Sequence, residues 1–155
     1  KSKSGITVKG LYDVSVRFSK CCTPVPGDEI VGFVTRGRGV SIHRTDCINV
    51  INLPEDERGR LIDAEWQVAE NPTSTEQYST EIQIFANNRI GLFADISKVF
   101  TEKQIDITSM NVRTSKQGRA TIIMTFDIHG TEELNRITDK IRQIDGVLDI
   151  QRTTG

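Results

Sequence analysis

Few of the residue types that usually carry chemistry occur here: three cysteines, two histidines and one tryptophan in 155 residues. An odd cysteine count fits a disulfide framework poorly and a reducing compartment better, so a cytoplasmic location is expected. No apolar run approaches the roughly 18 residues that a membrane span needs. No secretory signal opens the chain, and its start at Lys1 rather than Met suggests an excised part of a longer protein. Gly37 and Gly39 fit neither a Walker loop nor a dinucleotide fingerprint. No aromatic residues interleave with the basic ones of the first half, which argues against base stacking on single strands. His129 has no cysteine, serine or paired carboxylate to work with, and Glu132 and Glu133 suit the first turn of a helix. No catalytic centre is expected.

What is present points to a folded protein. Hydrophobic residues make up 36% and charged residues 26%. The net charge of -1 hides an asymmetry. Residues 1–50 hold eight Lys/Arg against four Asp/Glu, residues 51–77 two against seven, and residues 78–155 ten of each. A basic part, an acidic connector and a neutral part follow one another.

All three cysteines and one histidine fall between residues 21 and 47, as Cys21, Cys22, His43 and Cys47. Three thiolates and an imidazole can complete a closed tetrahedral zinc shell. The four-residue spacing of His43 and Cys47 suits one face of a helical turn. The adjacent pair is the weaker half, because neighbouring side chains tend to point apart.

Strands are expected over Leu11–Phe18, Ile30–Thr35, Val40–His43 and Arg60–Trp66, with Asp46 capping a short helix over Cys47–Ile51. This is a small α+β unit at 5–67, of a size that benefits from a metal. Arg36, Arg38 and Arg44 could meet phosphate oxygens; the plain alternative is a solvated turn. Residues 68–77 read as a linker.

Residues 78–155 alternate and repeat as βαββαβ: a strand over Thr80–Ala86, a helix carrying Leu92, Ile96, Val99 and Phe100, a strand over Ile105–Thr114 with Thr108, Met110 and Val112 on one side, a strand over Arg119–Ile128, a helix capped by Thr131 with stripe Leu134, Ile137, Ile141 and Ile144, and a strand over Val147–Arg152. That order predicts a ferredoxin-like sandwich. Asn88, Arg89, Ile90, Gly91 and Leu92 join the first strand to its helix. Asn88 is a plausible cap there, and the helix N-terminus offers N–H groups to a carboxylate; a tight turn is the plain alternative.

These residues carry a resemblance. The second half is similar to an ACT domain, a small regulatory module often used to sense amino acids. The first half, with Cys21-Cys22, the Gly37–Ser41 turn and His43-Arg44-Thr45-Asp46-Cys47, resembles the zinc-finger-like module of Rel/SpoT proteins, which synthesise and hydrolyse (p)ppGpp. The two adjoin in this order at the C-terminal end of that family. The resemblance implies that Cys21, Cys22, His43 and Cys47 hold a structural zinc. It makes Arg36, Arg38 and Arg44 contacts to ribosomal RNA, with tRNA a further candidate, and Asn88–Leu92 an effector loop. Asn88 stands where an aspartate is commoner, which leaves amino-acid binding open. The implied function is control of catalytic domains absent from this chain. The alternatives are amino-acid sensing, or a module for homodimerisation through the ACT domain or for autoinhibition.

Overall fold

The computed structural model describes residues 5–11, 14–37, 39–67 and 76–155. It contains two sheets, and among the described residues no helix is long and apolar enough to cross a membrane. The first sheet has five strands: β1 (Ile6–Val8), β2 (Val16–Phe18), β3 (Ile30–Val34), β4 (Val40–Arg44) and β5 (Leu61–Trp66), in the order β1-β5-β3-β4-β2. Its pairs are antiparallel except β2 with β4. A one-turn helix α1 (Ile48–Ile51) and a 3-10 helix (Glu55–Arg60) join β4 to β5. Among the described residues of the expected strand over Leu11–Phe18, Val16–Phe18 form strand; residues 12 and 13 lie outside them. Gly39 allows this parallel pairing. It takes φ +79, and a Cβ there would collide with the Ser15 carbonyl, the acceptor for the Val40 N–H.

The second sheet matches its expected order. Strands β6 (Tyr78–Asn87), β7 (Ile107–Thr114), β8 (Arg119–Ile128) and β9 (Val147–Arg152) lie as β7-β8-β6-β9, all antiparallel. Helices α2 (Leu92–Glu102) and α3 (Thr131–Arg142) complete the ferredoxin-like βαββαβ order. The alternation of β6 and β8 sends Thr80, Ile82, Ile84, Ala86, Ala120, Ile122, Met124, Phe126 and Ile128 inward, onto Leu92, Ile96, Phe100, Leu134, Ile137 and Ile141 of the helices. Phe100 and Phe126 meet edge to face at 4.9 Å at the centre of this core.

The caps differ from expectation. Gly91 in left-handed geometry and Gly130 precede α2 and α3, neither helix has a side-chain cap, and Thr131 is the first residue of α3. The Asp46 carboxylate is taken by Arg44 instead of by α1. In β7 a register shift between Ile107 and Ser109 takes Thr108 out of the ladder, and Met110 and Val112 remain 36% and 38% exposed. Most of the expected linker, residues 68–75, lies outside the described residues.

The two sheets are joined tightly. Phe18 stacks on Trp66 at 5.6 Å, and Tyr78 meets both rings edge-on. Val25 sits in the second core. At the end of β9, Arg152 grips Asp28 with two bonds of 2.6 and 3.0 Å and donates 2.9 Å to the Thr23 carbonyl. Both side chains of this pair are largely buried, at 19% and 10% exposure. Breaking such a pair by removing one partner costs roughly 3–5 kcal/mol. Arg152→Ala should therefore lower stability by about that amount. Urea unfolding followed by Trp66 fluorescence, which reports the junction, will show whether it does.

Candidate metal centre

The site forms because two local turns bring four side chains to one point. The Thr23 N–H bonds back to the Ser19 carbonyl at 3.0 Å, curling residues 19–23 into a single helical turn. Successive side chains on such a turn diverge by only about 100°, not the opposite directions of a strand. Cys21 and Cys22 can therefore face one centre, with sulfurs 4.0 Å apart. This resolves the weakness of an adjacent pair. Thr23 ends the turn with φ 45, a left-handed conformation costing a β-branched residue roughly 1–2 kcal/mol. The second sheet holds it there. The Glu81 N–H donates to Thr23 Oγ1, and Arg152 takes the Thr23 carbonyl.

The other half is not the single helical turn expected from spacing. His43 is on strand β4, while Cys47 is the residue before α1, with a turn between. The Cys47 N–H bonds to the Arg44 carbonyl at 3.1 Å, closing that turn.

The four donor atoms lie within 4.8 Å of one another. Cys21 Sγ is 3.4 Å from His43 Nδ1 and 3.4 Å from Cys47 Sγ, and Cys22 Sγ is 3.8 Å from His43 Nδ1. A tetrahedron with Zn–S of ~2.3 Å and Zn–N of ~2.0 Å has edges of about 3.5–3.8 Å. The separations of 3.4–4.0 Å around Cys21 and between Cys22 and His43 lie close to those edges, and the donor set is three sulfurs and one nitrogen, so the cluster can hold a metal ion. Cys22 and Cys47 are fully buried, and Cys21 and His43 partly so. The Arg44 N–H donates to Cys22 Sγ at 3.3 Å, and the Asn49 N–H to Cys47 Sγ, giving the sulfurs polar support. Without metal, burial pushes the Cys22 and Cys47 thiols above the ordinary thiol value and holds His43 below the ordinary imidazole value. Burial also raises Cys21, but hydrogen bonds from Ser19, Asn49, Cys47 and Cys22 outweigh it and bring this thiol down.

Arg44 is not the surface contact expected of it. It is 5% exposed. Its guanidinium forks onto Asp46 at 2.9 and 2.7 Å and donates to the Cys22 carbonyl at 3.0 Å and the Thr153 carbonyl at 3.2 Å. It ties both halves of the cysteine cluster to the end of β9. Arg36 is exposed in the β3–β4 turn, and Arg38 lies outside the described residues. Arg17 and Lys20, on β2 and just after it, are also exposed.

The Asn88–Leu92 loop, expected to meet an effector, is held by its own arginine. Arg89 donates to the Asp145 carbonyl, the Ile90 carbonyl and Asp95 Oδ2 at 2.8, 3.1 and 2.8 Å. Leu92 is buried, Ile90 is 99% exposed, and Asn88 gives its backbone N–H to the Gly118 carbonyl.

Two family models match this chain: the RelA/SpoT RIS domain over residues 6–67 and the ACT domain over residues 74–152. The chain is a RIS–ACT tandem of the RelA/SpoT family. It is 40% identical over 150 residues to a GTP pyrophosphokinase of Streptomyces coelicolor, covering 97% of this chain and 17% of that protein. It is 38% identical over 150 residues to the bifunctional (p)ppGpp synthase/hydrolase RelA of Mycobacterium tuberculosis, covering 97% of this chain and 20% of that one. The tandem thus spans about a fifth of the length of these curated relatives and corresponds to their C-terminal regulatory region. The crystal structure of the ACT domain of a GTP pyrophosphokinase from Chlorobium tepidum is similar at 22% identity and a TM-score of 0.45, covering 50% of this chain and 99% of that one.

The titration directions set a pH dependence for the metal-free tandem. Because His43 is held low, the unfolded chain takes up its proton first, and stability falls as pH drops below about 6.5. Because Cys22 and Cys47 are held high, the unfolded chain loses those protons first, and stability falls as pH rises past about 8.5. Cys21 offsets part of that alkaline loss. Zinc should abolish the loss, since thiolates are then the bound form; urea unfolding across this range with and without zinc measures it. Arg44→Ala should cost roughly 1–3 kcal/mol, the penalty for carbonyls left without a donor, and the same unfolding series gives its value.

Proposed function

We propose that the tandem is the regulatory, ribosome-contacting region of a (p)ppGpp synthetase/hydrolase, and that a structural zinc shapes the face it presents to ribosomal RNA. The observation that carries this reading is the pairing of a RIS and an ACT domain within a fifth of GTP pyrophosphokinase relatives, with a four-donor cluster inside the RIS domain. Four protein ligands leave no open position for a reacting molecule, so the metal's role is architectural. Cys21, Cys22, His43 and Cys47 would hold it, and the protein around them positions an exposed basic edge. The basic residues offered to that edge are Arg36, exposed in the β3–β4 turn, and Arg17 and Lys20, exposed on β2 and just after it; Arg38, two positions after Arg36 in sequence, is a further candidate outside the described residues. Arg44 serves it from inside, as a positioning residue. The catalytic work belongs to domains outside this chain, whose activity the tandem reports on and restrains.

The test is sedimentation with ribosomes at several salt concentrations. Arg36→Ala with Arg38→Ala should weaken binding and flatten its salt dependence by about one unit of slope per lost phosphate contact. Binding unchanged by the pair would sink the RNA assignment.

A second reading, homodimerisation through the ACT domain, is favoured by β7. This eight-residue strand lies at a sheet edge and leaves Met110 and Val112 more than a third exposed. Such an edge is a template for another strand. Light scattering should find a dimer that Val112→Lys dissociates.

A further inference from the structure

We propose that Cys21 and Cys47 are a peroxide-responsive modification site, closing a reversible disulfide that takes over from the metal in tying the cysteine turn to α1.

The geometry selects this pair among the three thiols. Cys21 and Cys47 have their sulfurs 3.4 Å apart, closer than the 4.0 Å between Cys21 and Cys22. A disulfide is ~2.05 Å long, so an approach of about 1.4 Å closes the bond, within reach of side-chain rotation. Cys21 is the partly exposed member, with its sulfur 3.0 Å from the Ser19 hydroxyl, so an oxidant meets it first. Cys47 is buried directly behind it and acts as the resolving thiol. Cys22 is the less favoured partner for Cys21: its sulfur is the farther one, at 4.0 Å, and its backbone is fixed by the Arg44 guanidinium on its carbonyl.

With hydrogen peroxide as oxidant, the Cys21 sulfur attacks one oxygen and the O–O bond breaks. Sulfur is oxidised to the sulfenic acid, and the departing hydroxide leaves as water with a proton from the thiol or, where zinc holds the thiolate, from solvent. The Cys47 sulfur then attacks the sulfenic sulfur, the S–O bond breaks, and the second hydroxide leaves as water with a proton from the same source. Two thiols and one peroxide, or two zinc-held thiolates, one peroxide and two protons, become one disulfide and two waters. The bonded sulfurs are no longer thiolates, so only Cys22 and His43 remain as donors, too few for a closed zinc shell. Oxidation therefore releases the metal while a covalent link preserves the fold of the site. The release rests on the zinc reading above; the disulfide does not.

The experiment treats the zinc-loaded chain with hydrogen peroxide. It follows zinc with a chromogenic chelator, counts free thiols, and maps bridges by alkylation under denaturing conditions and mass spectrometry. The expected result is one zinc freed per two thiols lost, a Cys21–Cys47 bridge with Cys22 alkylated, and recovery of zinc binding after dithiothreitol. In Cys47→Ser, the sulfenic acid should persist and be trapped by dimedone at Cys21. Bridging through Cys22, cross-links only between chains, or three intact thiols in excess peroxide would each overturn the proposal. Protein that carries no zinc but forms the Cys21–Cys47 bridge would overturn the metal reading alone.

Discussion

Adjacent cysteines can serve one metal only if the backbone between them curls, and here the curl depends on a residue that resists it. Thr23 ends the turn with positive φ, a strained choice for a β-branched side chain. What keeps it there comes from far along the chain: the Glu81 N–H on its hydroxyl and the Arg152 guanidinium on its carbonyl. The RIS domain therefore does not shape its own cysteine turn unaided. The ACT sheet supplies part of the mould, and the geometry of the four donors follows from that support.

Two arginines carry this dependence through the molecule. Arg152 reaches from β9 to Asp28 and Thr23 beside the cysteine turn. Arg44 reaches from β4 to Cys22, Asp46 and Thr153, crossing the same boundary in the other direction. The Ile48 N–H, at the start of α1, bonds to the Thr154 carbonyl at 2.7 Å and closes the ring of contacts. The four-donor cluster, the domain boundary and β9 thus form one connected polar network, flanked by the Phe18–Trp66–Tyr78 cluster. In such networks each member's loss is felt by the others.

Much of this was legible in the sequence, for physical reasons that differ by region. Strands β6 and β8 alternate cleanly because one face of their sheet is covered by helices, so Ile82, Ile84, Ile122 and Met124 announce the core. Strand β9 and the stripes of α2 and α3 were readable in the same way. The four donors were visible as residue types, since little else in the chain is soft enough to bind zinc. Their geometry was not visible, because it depends on Ser19–Thr23 curling under tertiary support rather than on local propensity. Arg44 misled for a related reason. Beside arginines in a turn it reads as surface charge, and only the β4 register shows that His43 and Arg44 face opposite ways. The missing caps of α2 and α3 reflect glycines at Gly91 and Gly130, where sequence reasoning preferred the neighbouring polar residues.

The contact between the tail and the cysteine turn also sets an order of events during synthesis. The bond from Arg44 to Thr153 spans 109 residues, and those from Arg152 to Asp28 and Thr23 span 124 and 129. Contacts of such separation form late, after the loop between them has been closed. A nascent chain exposes all three thiols long before residues 152–154 leave the exit tunnel to brace the turn that gathers them. Until then the cysteines are an unassembled, reactive set, and β9, late in the second domain, is the strand that completes the domain made before it.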